Sequence, residues 1–176
     1  IGGIITLPDG GELLDYIEPS NESYFLTLSS DGKTLLINDI VPVHAIWKGG
    51  DDSTNPENWI CYDDEGDILS NKLPSFYVTN LVLNASLDMR GWSTQFIKSK
   101  GVIDLNGNTL YVDELNGDMF PLVVITNSME STTATLDVTV PKNVTIENST
   151  AYISGNIKFV KSGEGTFVTH ILQNYT

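Results

Sequence analysis

Ile103-Asp104-Leu105-Asn106-Gly107-Asn108-Thr109-Leu110-Tyr111-Val112 reads as a short strand, a corner and a second short strand. On both sides of Asn-Gly-Asn, apolar residues alternate with polar ones, the period of a half-buried strand. Asparagine and glycine tolerate the left-handed backbone that a tight corner demands. A strand that stops after three or four residues, turns and starts again is the unit of a coil.

Working outward, the same unit returns. Leu81-Val82-Leu83 is echoed by Ile103-Asp104-Leu105, and Thr109-Leu110-Tyr111-Val112 by Thr135-Leu136-Asp137-Val138. Val124-Ile125-Thr126 is matched to Thr145-Ile146-Glu147 and to Phe167-Val168-Thr169. The intervals, about 21 to 26 residues, fall in the range that marks solenoids. Further corners follow at Asn116-Gly117-Asp118, Asn127-Ser128 and Ser154-Gly155-Asn156. The expectation is an all-β parallel solenoid in which inward positions stack into apolar ladders. An antiparallel β-sandwich, which also has short strands at regular spacing, is the alternative.

Residues 1–45 read differently. Tyr24-Phe25-Leu26-Thr27-Leu28 and Thr34-Leu35-Leu36-Ile37 flank Ser29-Ser30-Asp31-Gly32-Lys33, and Asp-Gly predicts a β-hairpin. Gly11 to Ile17 is the best helical stretch and is short. The chain thus divides into an N-terminal hairpin unit or cap over residues 1–45 and a solenoid over residues 46–176.

Charge narrows the partners. Nine basic residues face 23 acidic ones, a net charge of -14, and Arg90 is the only arginine. Nucleic-acid and anionic-membrane binding need a basic stripe, which this chain lacks. No apolar run approaches the roughly 18 residues of a membrane-spanning helix, so no membrane insertion is expected. Cys61 is the only cysteine, which rules out an intrachain disulfide and leaves a small buried hydrophobe as the expectation. The start at Ile1 fits a removed leader or an excised segment.

Two patches carry a resemblance. Ile46-Trp47-Lys48-Gly49-Gly50, running through Asn55-Pro56-Glu57-Asn58-Trp59 to Pro74, resembles the opening of bacterial autotransporter-like β-helix domains. Val160-Lys161-Ser162-Gly163-Glu164-Gly165-Thr166-Phe167, with Asn174-Tyr175-Thr176 beyond it, resembles their passenger-associated repeat. Phe167 stands where that repeat has leucine, one residue is missing before Tyr175, and the chain stops where glycines should follow. The resemblance implies a right-handed, pectate-lyase-like parallel β-helix. It also implies an extracellular or outer-membrane-surface location on a bacterium and a chain that is part of a longer protein. It transfers no catalytic residues.

The chemistry expected is correspondingly sparse. Asp104, Asp137 and Glu147 are the carboxylates to weigh for polysaccharide hydrolysis or elimination, and solvated exterior acids are the plainer reading. His44 and His170 lack ligand or triad spacing. Asp51-Asp52 with Asn55, and Asp63-Asp64-Glu65-Gly66-Asp67, supply oxygens for calcium without the spacing of a calcium loop, so no cofactor is expected. Trp47 and Trp59 are expected to plug the core beneath a polar loop, whereas Trp92, with Arg90 nearby, is the candidate carbohydrate contact. Sequons at Asn21, Asn84, Asn143, Asn148 and Asn174 matter only in a eukaryotic or viral source. The function expected is a non-enzymatic surface scaffold of adhesin type, with a glycan or a host or cell-surface protein as partner. The alternative is a carbohydrate-binding module or a remnant polysaccharide-active domain.

Overall fold

The computed structural model describes residues 24–28, 35–74, 78–91, 100–115, 122–170 and 174–175. It forms two units that divide between Val41 and Pro42. In the first, β1 (Tyr24–Leu28) and β2 (Leu35–Asp39) make the expected antiparallel hairpin, with Tyr24 opposite Asp39 and Leu28 opposite Leu35. The reversal, residues 29–34, and the helical candidate at 11–17 lie outside the described residues.

The second unit is a parallel β-solenoid. Its largest sheet opens with β3 (His44–Trp47), β4 (Trp59–Tyr62) and β5 (Ile68–Leu69), which pair antiparallel. From β3 onward all pairing in that sheet is parallel, through β6 (Asn80–Leu83), β8 (Val102–Asp104), β10 (Val124–Thr126), β13 (Tyr152–Gly155) and β16 (Asn174–Tyr175). A second sheet stacks β7 (Leu87–Asp88), β9 (Thr109–Val112), β11 (Ala134–Thr139) and β14 (Ile157–Ser162). A third pairs β12 (Thr145–Asn148) with β15 (Thr166–Thr169). Among the described residues antiparallel pairing is confined to the hairpin and the β3–β4–β5 opening, and the stacked coils are parallel, so the sandwich alternative is set aside. Because β3 is the first parallel strand of the large sheet, a boundary after residue 45 would cut that strand in two.

Alternation decides which side chains go inside. In β11 every second residue, Ala134, Leu136 and Val138, is buried, and their neighbours are half-exposed. Across the large sheet Leu69, Cys61, Ala45, Leu81, Ile103, Ile125 and Ile153 stand in one register row, each at most 8% exposed. Burying each leucine or isoleucine contributes roughly 1.5–3 kcal/mol against leaving it in water. The second sheet answers with Leu87, Leu110 and Leu136.

Two of the sequence alignments hold residue for residue: Leu81 pairs with Ile103, and Thr109–Val112 pair with Thr135–Val138. The third does not. Val124 and Ile125 pair with Tyr152 and Ile153 in the large sheet, while Thr145 and Ile146 pair with Thr166 and Phe167 in the third sheet. Thr145 therefore faces Thr166 and not Phe167, a slip of one residue, and a slip of one moves every side chain to the opposite face.

The corners are joined by asparagines. Asn106 (φ +46°) and Gly107 (φ +78°) take the left-handed conformation. Asn108 Nδ2 donates to Leu83 O at 2.8 Å and Asn106 Nδ2 to Asn84 Oδ1 at 3.2 Å, each reaching the preceding coil. At the next side of the solenoid Asn148, fully buried, donates to Ala151 O at 2.9 Å and accepts from the Ala151 N–H at 2.9 Å.

Candidate functional site

Leu87 and Met89 point into the core, which turns Asp88 and Arg90 outward at the first edge of the second sheet. Arg90 Nε donates to Asp88 Oδ1 at 2.9 Å, and Arg90 Nη2 donates to Asp88 Oδ2. The guanidinium carbon lies 5.3 Å from the centre of the Tyr111 ring, on the strand that follows. One turn on, the Gly91 N–H donates to Asp113 Oδ2 at 2.8 Å. Hydrogen bonding from Arg90 holds the Asp88 carboxyl below the usual carboxylate range, and Asp88 in turn raises Arg90. Arg90 is thus engaged by Asp88 and by the face of Tyr111, and it clamps one coil to the next. Trp92, its expected companion in sugar binding, lies outside the described residues.

The three carboxylates weighed for catalysis are on three different sheets. Asp104, on β8, accepts the backbone N–H groups of Asn106 and Ser128, both at 2.9 Å. Asp137, on β11, accepts from Ser162 Oγ at 2.7 Å, and that hydroxyl lies 2.9 Å from Thr139 Oγ1. Glu147, on β12, has Oε2 at 3.5 Å from His170 Nε2. Glycoside hydrolysis needs two carboxyl groups roughly 5 to 9.5 Å apart across one bond, and residues on separate faces do not provide that. His44 is exposed on β3, in a different sheet from the Glu147–His170 pair.

The structure does place two acids in one row that composition alone does not show. Asp88, Tyr111 and Asp137 stand in register on successive strands of the second sheet. Tyr111 separates the two carboxylates. Asp88, held ionised by Arg90, is no proton donor near neutral pH. The alignment of Tyr111 with Asp137 was already legible in the sequence; the place of Asp88 was not, because β7 is only two residues long.

The polar loop of residues 48–58 is tied down from within. Asp52 Oδ1 accepts from Thr54 N at 2.8 Å and Thr54 Oγ1 at 2.6 Å, bonds that lower its carboxyl. Trp59 Nε1 donates to Ser53 O at 2.9 Å and Trp47 Nε1 to Ser86 O at 3.0 Å. Both indoles are buried, with ring centroids 4.9 Å apart, so they plug the opening coil as expected. In the second acidic loop Asp63 Oδ1 accepts from Glu65 N at 3.1 Å and Asp67 N at 2.8 Å. Among the described residues no three of His, Cys, Asp and Glu converge on a point that could hold a metal. Nor, among them, is any helix long and apolar enough to cross a membrane.

No protein-family model, curated protein or solved structure matches the chain.

Proposed function

We propose that this chain is a non-enzymatic display scaffold of adhesin type, carried on the outside of a bacterial cell as part of a longer solenoid, with a glycan or a host-surface protein as its partner. The observation that supports this reading most is the unbroken buried row from Leu69 to Ile153. Such a row is a rigid spacer: each coil supports the next, and loops project from the frame. Asp104 accepts from Ser128 N–H and Asp137 from Ser162 Oγ, each on the following coil, so these carboxylates tie coils together, while Asp88 accepts from Arg90 on its own coil. Labelling of the source cells with antibodies to this segment tests the location. Signal on intact cells is expected; signal that appears only after permeabilisation overturns the reading.

A second reading, carbohydrate binding, is favoured by one observation. The outward face of the large sheet carries apolar and aromatic side chains where a bare scaffold would carry polar ones.

A further inference from the structure

Two outward rows cross the large sheet. One runs Ile68, Tyr62, His44, Asn80, Val102, Val124 and Tyr152, in unbroken register over seven strands. Beside it runs the second: Ile60, Ile46, Val82, Asp104 and Thr126. Ile68 is 65% exposed and Tyr152 37%, and the aliphatic members between them are half-exposed. The outward face of the second sheet differs: its rows are Asp88, Tyr111, Asp137 and Val160, then Thr109, Thr135 and Lys158. One face of this acidic solenoid is therefore selectively apolar, and an exposed apolar patch is the informative departure from a normal surface.

We propose that this double row is a binding strip for a single extended chain of a neutral polysaccharide. The inference rests on the carbohydrate-binding reading and moves the contact from the Arg90 face to the large sheet. Shape argues first. Six strand spacings of about 4.8 Å make the strip roughly 29 Å long, and two side chains make it about 12 Å wide. Its flat footprint of about 350 Å² suits a ligand-sized patch and falls well short of the roughly 800 Å² that each partner gives to a stable globular interface. A second copy of the chain or a folded partner would need more.

Chemistry then separates the two kinds of slender chain. From β4 to β10 each strand has a paired neighbour on both sides, so a peptide laid over the face would find side chains and no ladder, and its own amides would lose water without replacement. A polysaccharide carries its hydroxyls on ring edges and C–H groups on ring faces. The rings of Tyr62 and Tyr152 and the methyls of Val102 and Val124 suit the ring faces, while Asn80, Asp104 and Thr126 in the same rows suit the hydroxyls. Charge sets the class. The chain carries -14 overall, and neither row holds a lysine or an arginine, so a polyanionic glycan is repelled.

The test is native-gel affinity electrophoresis in hydroxyethylcellulose, galactomannan, arabinoxylan and soluble starch, with polygalacturonate as the polyanion. Retardation is expected by at least one neutral polymer and not by polygalacturonate. In Val124→Lys and Tyr152→Ala the affinity should fall about tenfold or more, and in Arg90→Ala, on the other face, it should not change. Tyr152→Ala removes a ring from the surface, so with an unchanged far-UV spectrum it reports on contact and not on folding. No retardation by any of the four neutral polymers overturns the proposal, as does retardation that survives both strip variants or is lost in Arg90→Ala. Labelling of intact cells, read separately, decides surface location whatever the gels show.

Discussion

The backbone N–H of Gly107 donates to Oδ1 of Asn127, one coil further on, at 2.9 Å. The same side chain turns its Nδ2 toward three carbonyls, Thr132 O at 2.6 Å, Asn156 O at 2.9 Å and Met129 O at 3.2 Å. Asn127 is 7% exposed, so its own amide has little recourse to water. Replacing it with alanine removes the acceptor of the Gly107 N–H and a donor to each of the three carbonyls, of which Met129 O and Asn156 O keep a backbone N–H, and should cost about 1–3 kcal/mol in urea unfolding. Asn127→Asp keeps the acceptor but sets a carboxylate against carbonyl oxygens, which raises its folded pKa. An aspartate whose folded pKa is raised destabilises progressively as pH climbs past its unfolded value, about 3.9. The gap in Tm between Asn127→Asp and wild type should therefore be small near pH 3 and widen toward pH 7. A gap that is constant with pH would show that Asn127 acts by shape alone.

Glycine is indispensable at Gly163 and Gly165 for steric reasons. A Cβ on Gly165 would lie 2.2 Å from Pro141 O and 2.5 Å from Val144 O, and one on Gly163, where φ is +72°, 2.2 Å from Val140 O. These are backbone atoms of the preceding coil and cannot swing aside. Alanine at either position should cost about 3 kcal/mol or more. Gly66, with φ +92° and nothing within 4 Å, is the control: alanine there meets strain but no clash and should cost about 1–2 kcal/mol. Equal Tm losses at Gly66 and Gly165 would show that the close approach to Pro141 is not what fixes the glycine.

These two sites also mark what could be read in the sequence. The corner at Asn106-Gly107-Asn108 and the echo of Leu81-Val82-Leu83 in Ile103-Asp104-Leu105 were legible because coil length is constant there: Leu81, Ile103 and Ile125 follow one another at 22 residues. The next step, Ile125 to Ile153, is 28. The extra residues admit the strand Thr145–Asn148, which starts the third sheet. Sequence similarity could not tell that Thr145-Ile146 begins a new face, because both faces use the same alternation of β-branched residues. The apolar strip was hidden for a related reason. Ile60, Val82 and Val102 look like core until register places them outward. Trp47 and Trp59 were read correctly because two indoles flanking a polar loop have few other places to go. The contact of Arg90 with Asp88 and Tyr111 is not legible in the sequence, since it depends on the register that sets the two-residue strand β7 beside β9.

Cys61 stands in the buried row between Ala45 and Leu69, with Sγ 3.3 Å from Lys72 O. Burial raises its thiol to about 11. The unfolded thiol ionises near 8.5, so the unfolded state gains from deprotonation first, and stability should decline between about pH 8.5 and 11. Cys61→Ala should lack that component of the decline. At pH 8 the native thiol should react with a disulfide reagent about a hundredfold or more slowly than the same chain in urea. A comparable native rate would mean that the opening coil breathes or that Cys61 is not enclosed by β4 and its neighbours.

The Asp88–Arg90 pair gives the clearest measure of whether Arg90 clamps the coils or waits for a ligand. Both side chains are about half exposed, so solvent and salt screen the pair, and Arg90→Met should cost less than about 1 kcal/mol at pH 7. The folded Asp88 carboxyl lies below its unfolded value because Arg90 bonds to its charged form. Its contribution is therefore complete above about pH 4 and fades as pH falls through the lower, folded value. The stability difference between wild type and Arg90→Met should shrink over that acidic window. What remains at low pH is the contact between the guanidinium and Tyr111, which protonation of Asp88 does not remove. Tyr111→Leu, alone and in the Arg90→Met background, isolates that remainder: if the two substitutions are additive, the guanidinium and the ring do not act together, and Arg90 does not clamp one coil to the next, because Asp88 lies on its own coil.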